Sequence, residues 1–107
     1  MLELIAEGVE VGSRWRRRIP EREIFVGRAT ESYRVPWDSQ ISRVHISLRL
    51  SGDKVFVQKL KTSSNPVFYE GKSHECFELG AGEHFVIGST QFAIAAEEAF
   101  GSLDAPD

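Results

Sequence analysis

A strand with a polar start runs through residues 41–50, ISRVHISLRL. In its second half, apolar Ile46, Leu48 and Leu50 alternate with polar residues, the pattern of a strand with one face in a core. Ser42 and Arg43 precede this pattern on what we expect to be a loop. Polar residues in this position either fill a turn or form a binding surface, and the rest of the chain has to distinguish the two.

Alternating segments continue on both sides of this strand. They are four to seven residues long, with apolar residues at every second position: LELIAEG, SRWRRRIP, EIFVG, KVFVQKL, PVFYEG, ECFEL, EHFVIG and TQFAIA. Closely spaced short strands predict an all-β sandwich or barrel. Gly52-Asp53 and residues 80–82 are predicted hairpin turns. We expect one domain over residues 1–97 and a flexible tail or linker to a downstream domain over 98–107.

Composition and charge limit the classes of function. The chain has 107 residues and a formal net charge of -3, so no global positive field favours nucleic acid or an anionic membrane. Cys76 is the only cysteine, which excludes an intrachain disulfide and favours a reducing, cytoplasmic setting. We expect no secretory signal, because the N-terminus has no basic region before an apolar run, and no membrane span, because no apolar stretch reaches about 18 residues.

Polar motifs follow the predicted strands in a fixed order. They are Gly27-Arg28 after EIFVG, Ser42-Arg43-Val44-His45 before ISLRL, Ser64-Asn65 after KVFVQKL, then Glu70-Gly71, Gly82-Glu83 and Ile87-Gly88. Each motif alone is weak: Arg28 could be a solvated arginine, and Ser42 and Asn65 could be turn residues. Their order and spacing over residues 22–96 resemble the forkhead-associated (FHA) domain, whose pattern is Gly-Arg, Ser-Arg-x-His, Asn-Gly, Asn-Gly and Gly-Asp.

The resemblance implies an antiparallel β-sandwich of about eleven strands with binding loops at one end. It also implies that the loops bind phosphothreonine in a partner protein or in a phosphorylated segment of the same chain. By position, Arg28, Ser42 and Arg43 would contact the phosphate region, and Ser64 and Asn65 would hold the peptide main chain. Gly27 and His45 would support the loops from behind.

The residue types suit this chemistry without the family name. A phosphothreonine carries about -1.5 to -2 charge at pH 7, and arginine matches its oxygens with planar donors. Hydroxyl and loop N–H groups supply further donors. No nucleophile, base and orienting group form a recognisable set, so we expect a binding module in signalling, with no cofactor, and not an enzyme.

Three departures from the family pattern keep an alternative open. Pro66 follows Asn65 where glycine is usual, which removes an N–H and restricts Asn65 to extended geometry. Glu70 replaces the second asparagine, and Lys59 stands where an acid is common. The alternative is a degenerate FHA-like domain that mediates phosphate-independent assembly or self-association.

Two other stretches suggest weaker hypotheses. Residues 14–18, RWRRR, place Arg14, Arg16 and Arg18 on one strand face, which would suit nucleic acid, but Glu21 and Glu23 follow. His74, Cys76 and His84 match no familiar zinc spacing, so we expect no metal site. The GEHFVIG and NPVFYEG segments resemble a bacterial variety of the FHA domain, and we expect a possible attachment to a nucleotide cyclase.

Overall fold

The computed structural model describes residues 2–29 and 33–96, which form eleven β-strands and no helix. The strands are β1 (Leu2–Glu7), β2 (Arg14–Arg18), β3 (Ile24–Gly27), β4 (Tyr33–Arg34), β5 (Ile46–Ser51), β6 (Lys54–Lys59), β7 (Val67–Tyr69), β8 (Lys72–His74), β9 (Cys76–Leu79), β10 (His84–Ile87) and β11 (Thr90–Ala96). The predicted tail, 98–107, lies outside the described residues. Within the described ranges, the chain has no helix long and apolar enough to cross a membrane.

The strands form two sheets. One has six strands in the order β2-β1-β11-β10-β7-β8, and the other has five in the order β4-β3-β5-β6-β9. The described strand pairs are antiparallel except β3 and the two-residue β4, which pair in parallel. The predicted all-β sandwich is confirmed, with this parallel pair as its one mixed element among the described strands.

The core lies between the sheets and follows the alternation of the sequence. From the five-stranded sheet, Ile46 and Leu48 are fully buried as predicted, and from the other sheet Phe85 and Phe92 stack with ring centroids 5.0 Å apart. Burial of such side chains contributes roughly 1.5–3 kcal/mol each. This core gives the loops a rigid base.

The two predicted hairpin turns differ in outcome. Gly52 and Asp53 join β5 to its neighbour β6, as expected. The prediction for residues 80–82 is wrong, because β9 pairs with β6 while β10 belongs to the other sheet. These residues therefore cross between sheets, and the last hairpin turns at Gly88 and Ser89, between β10 and β11. Turn residues mark where a strand ends, but they do not show which sheet the next strand joins.

Several connections of the described chain meet at one end of the sandwich, called here the loop end. They include residues 8–13, 28–29, 35–45, 60–66 and 88–89. In the six-stranded sheet, the register pairs Glu7 with Gln91 and Ile87 with both Thr90 and Val67, which brings three of these connections together. In the other sheet, Ile46 pairs with Val26 and Lys59. The motifs at Arg28, Ser42 and Asn65 therefore share this end.

Candidate functional site

Backbone hydrogen bonds bring Arg28 next to Ser42. The Arg28 N–H donates to the Ser42 carbonyl at 2.9 Å, and the Ala29 N–H donates to the Arg43 carbonyl at 3.1 Å, beyond the end of the β3–β5 ladder. The Arg28 Nε then donates to the Ile41 carbonyl at 3.0 Å, although the residue stays largely exposed. This bond uses one of the five guanidinium N–H groups and fixes the direction of the side chain.

The 60–66 loop reaches the same place through two side-chain bonds. The Ser64 N–H donates to Ser42 Oγ at 3.1 Å, and Asn65 Nδ2 donates to the Gln40 carbonyl at 2.8 Å. The Ser42 hydroxyl thus accepts one bond and keeps its own proton for another acceptor. The Asn65 amide points to the 35–45 loop, so this side chain joins the two loops.

His45 lies beneath these loops and is fully buried. Its Nδ1 accepts from the Ser42 N–H at 2.9 Å, so Nε2 carries the proton and donates to the Asn65 carbonyl at 2.8 Å. Burial lowers the pKa of His45 below 6.5, and the positive Lys59 lowers it further, while the bond to Asn65 and the charge of Asp38 act in the opposite direction. The neutral imidazole holds both loops in place.

Gly27 allows the two loops to approach. A Cβ atom at this position would lie 2.1 Å from the Arg43 carbonyl oxygen and 2.7 Å from Val44 Cα. Both are backbone atoms that cannot rotate away. Only glycine permits the spacing on which the Arg28–Ser42 contact depends.

The family assignment follows from direct comparison as well as from the motifs. A family model for the FHA domain matches residues 24–88. This chain belongs to the FHA domain family. The match covers the residues from β3 to the turn after β10, so the predicted family is confirmed.

Solved structures show that this FHA domain shares its fold with others. The FhaA FHA domain, complexed with the intracellular domain of Rv3910, is 21% identical with a TM-score of 0.74, and the match covers 88% of this chain and 99% of that one. An FHA domain analysed for phosphothreonine-dependent interactions is 20% identical with a TM-score of 0.76, covering 91% and 97%. Slr1951 from the bacterium Synechocystis is 18% identical with a TM-score of 0.77, covering 92% and 100%. A comparison with curated proteins finds no match.

A shallow groove of about 270 Å³ lies beside Ser42 in the FHA domain. It is lined by Ser42, Arg43, Val44 and Thr62. Arg43, which also lines the groove, is exposed. Thr62 was not predicted, because no local sequence pattern indicates that the loop after β6 packs beside Ser42.

Asp38 also escaped prediction. It is buried, its Oδ1 accepts from the Gln40 N–H at 3.0 Å, and its Oδ2 accepts from the Ser89 N–H and the Thr90 hydroxyl, both at 2.8 Å. These bonds fasten the 35–45 loop to the turn between β10 and β11. An aspartate that accepts a hydrogen bond from the N–H two residues later is typical of a local turn, which sequence can indicate. Nothing in the sequence predicts the two partners of Asp38 that lie 51 and 52 residues away.

The residues of the two weaker hypotheses do not join the site. Arg16 of β2 pairs with Glu3 at 2.5 Å, and Arg14 and Arg18 lie opposite Glu7 and Glu3 in the register. Acids on β1 therefore offset the positive strand. In the described ranges, no group of three or more His, Cys, Asp or Glu side chains could hold a metal ion.

Proposed function

We propose that this FHA domain binds phosphothreonine in partner proteins as a protein-interaction module in signalling. The observation that carries the proposal is the backbone hydrogen bond that sets the exposed Arg28 next to Ser42. Membership of the FHA family supports it, as do structural neighbours described with a partner protein or with phosphothreonine-dependent interactions. The bound peptide would lie across the loop end, with its phosphate between these two residues.

The donors at this point suit a dianion. Arg28 offers its terminal guanidinium N–H groups, Ser42 offers its hydroxyl proton, and Arg43 adds positive charge at the rim of the groove. Charge-assisted hydrogen bonds of this kind are about twice as strong as neutral ones. We propose that the groove beside Val44 and Thr62 receives the threonine methyl group, which would favour phosphothreonine over phosphoserine by roughly one buried methyl, about 0.8 kcal/mol.

We propose that Asn65 both joins the two loops and holds the peptide main chain. The Asn65 amide N–H donates to the Gln40 carbonyl and so holds the 60–66 loop against the 35–45 loop. We propose that the Asn65 Oδ1 accepts a hydrogen bond from the peptide main chain. Ser64 would hold the Ser42 hydroxyl in place through its N–H. Neither role adds positive charge, so the phosphate depends mainly on Arg28, Ser42 and Arg43.

The test is a titration with a phosphothreonine peptide library, with unphosphorylated and phosphoserine peptides as controls. Loss of the charge-assisted contact in Arg28→Ala should cost on the order of 1.5–3 kcal/mol, or about 10- to 150-fold in affinity. Arg22→Ala is the matched control, because Arg22 is also exposed but follows β2 at the opposite end of the sandwich. It changes the net charge equally and should leave the affinity within about twofold.

Absence of phosphopeptide binding by the folded wild type would overturn the proposal, as would equal effects of the two substitutions. Phosphate-independent assembly through the same scaffold would then be the function to test, by sedimentation of the unphosphorylated protein. Binding to a phosphorylated segment of the same chain, a cytoplasmic location and attachment to an effector such as a cyclase stay predictions.

A further inference from the structure

A second cavity opens on the other side of the 35–45 loop from Arg28. It has a volume of about 420 Å³ and lies between the 8–13 loop and the turn at Ser89. Its walls include Val9, Glu10, Trp37 and Gln40, with Asp38 at its base. None of the motif residues that indicate the FHA family lines this cavity. The cavity shares only the 35–45 loop with the proposed phosphate position.

The lining of this cavity is suited to a cation. Among its described residues, Glu10 and Asp38 carry negative charge and none carries positive charge. The Asp38 oxygens accept three internal hydrogen bonds, whereas Glu10 is exposed. Trp37 and Val9, which is 80% exposed, supply aromatic and apolar surface. Arginine and lysine combine an apolar stem with a charged end that favours such surroundings.

The cavity adjoins the proposed phosphate position. Gln40 lines it, the Ile41 carbonyl accepts a hydrogen bond from Arg28, and Ser42 lies at the proposed phosphate position. Asp38 precedes Ser42 by four residues on this loop, so at most roughly 14 Å of extended chain separates its negative charge from the proposed phosphate position. A peptide that lies across this loop would bring a side chain two to four residues from its phosphothreonine to the cavity.

We infer that this cavity binds an arginine or lysine side chain of the phosphothreonine peptide, an inference that rests on the proposed function. The domain would then select partners that carry a basic residue at a fixed distance from the phosphate. Glu10 is the residue that determines this preference, because its carboxylate is the exposed charge of the cavity. Asp38 contributes a fixed negative field from below.

The test uses phosphothreonine peptides with alanine at all flanking positions and one arginine moved from four residues before the phosphothreonine to four after it. One of the peptides with arginine two to four residues from the phosphothreonine should bind about 3- to 10-fold more tightly than the all-alanine peptide. Glu10→Gln should remove that gain and leave the all-alanine peptide unchanged. Glu21→Gln is the matched control, because Glu21 is exposed in the turn after β2 at the opposite end.

A charge exchange makes the test independent of any general loss of binding. In Glu10→Lys, the peptide with glutamate at the selected position should bind more tightly than the peptide with arginine, the reverse of the wild-type order. Glu10 is exposed in a loop, so both variants should fold.

The outcomes separate this inference from the proposed function. If the all-alanine phosphopeptide binds but no arginine position gains twofold, the cavity does not read a basic residue and the phosphate site stands. Equal effects of Glu10→Gln and Glu21→Gln would also overturn the inference, because they would show only long-range attraction. If no phosphopeptide of the set binds, with or without arginine, both the proposed function and this inference fail.

Discussion

Gly27 is the residue at which the β3 end and the 35–45 loop touch backbone to backbone. Because an added Cβ would lie 2.1 Å from the Arg43 carbonyl oxygen, Gly27→Ala must separate the two segments. We expect the substitution to lower the free energy of unfolding by about 1–3 kcal/mol, as overpacking does, and to weaken phosphopeptide binding. Urea denaturation and the peptide titration measure the two effects.

Gly80→Ala is the control for this prediction. A Cβ at Gly80 would meet nothing nearer than Lys54 side-chain atoms at 3.9 Å. Its free energy of unfolding should stay within about 0.5 kcal/mol of the wild type. If the two alanine variants were equally stable, the close approach at Gly27 would not hold in solution.

His45 should make the stability of the domain depend on pH. Its folded-state pKa is lowered below 6.5, mainly by burial, so the unfolded chain binds the proton more readily. This contribution is fully present above pH 6.5, decreases as the pH falls below that value, and levels off below the folded-state pKa. The slope of the free energy of unfolding is at most about 1.4 kcal/mol per pH unit for one group. Urea unfolding between about pH 7.5 and 5.5 measures it.

The matched comparison uses another histidine. His84 is exposed on β10, so His84→Gln should retain the wild-type slope, whereas His45→Gln should lose it at the expense of overall stability. If the free energy of unfolding of His45→Gln depended on pH as steeply as that of the wild type, the pH dependence would come from other groups. Protonation of the folded domain would also turn Nδ1 from an acceptor into a donor and break its bond with the Ser42 N–H, so phosphopeptide affinity should fall only as the pH approaches the lowered folded-state pKa of His45.

At the residue scale, the sequence predicted which polar residues lie on neighbouring loops better than it predicted their hydrogen-bond partners. The order of the motifs placed Arg28 and Ser42 on neighbouring loops, and the structure brings them together through backbone bonds. The bond from Asn65 to Gln40 and those from Ser89 and Thr90 to Asp38 depend on loop conformations set by distant parts of the fold. No local pattern encodes them, which is why Asp38 was missed.

At the scale of elements, the β7–β8 hairpin carries a backbone strain. Its two-residue turn is Glu70-Gly71, and both residues have positive φ, 56° and 80°. Glutamate rarely adopts this conformation, whereas asparagine and glycine adopt it readily. Glu70→Asn should therefore raise the free energy of unfolding by about 0.5–1 kcal/mol, measured by urea denaturation.

Glu70→Gln separates conformation from charge. It removes the same negative charge but keeps a side chain unsuited to positive φ, so its stability should stay within about 0.5 kcal/mol of the wild type. Equal stabilisation by glutamine and asparagine would attribute the effect to charge. The sequence identified Glu70 as a departure from the family asparagine, and the positive φ gives the physical reason for that asparagine.

Strand alternation predicted most elements but not how they are distributed between sheets. Residues 46–51 and 54–59 form the expected hairpin because only two turn residues separate them. Residues 80–82 include similar turn residues, yet they lead from one sheet to the other. This is because β9 is the edge strand beside β6 in the five-stranded sheet, whereas β10 lies in the six-stranded sheet. Sheet membership depends on which apolar faces pack together, and that information is spread over the whole chain.

At the scale of the whole molecule, charge is unevenly distributed along the sequence. The formal net charge is -3, and residues 98–107 contain three acids and no lysine or arginine, so residues 1–97 are balanced. No overall field therefore steers a phosphopeptide towards the domain itself. The recognition that we propose would depend on local charges at the loop end, positive at Arg28 and Arg43 and negative at Glu10 and Asp38.

The predicted domain boundary at residue 97 can be tested by removing residues 98–107. The last described strand, β11, ends at Ala96 opposite Leu2, and its pairing with β1 and β10 lies within the described residues. The shortened chain should therefore unfold with a free energy within about 0.5 kcal/mol of the full chain. Because the removed residues are acidic, its affinity for a phosphopeptide should be equal or higher at low salt and equal at high salt. A loss of more than about 1 kcal/mol in unfolding free energy would show that residues 98–107 pack on the sandwich, and would move the boundary beyond residue 97.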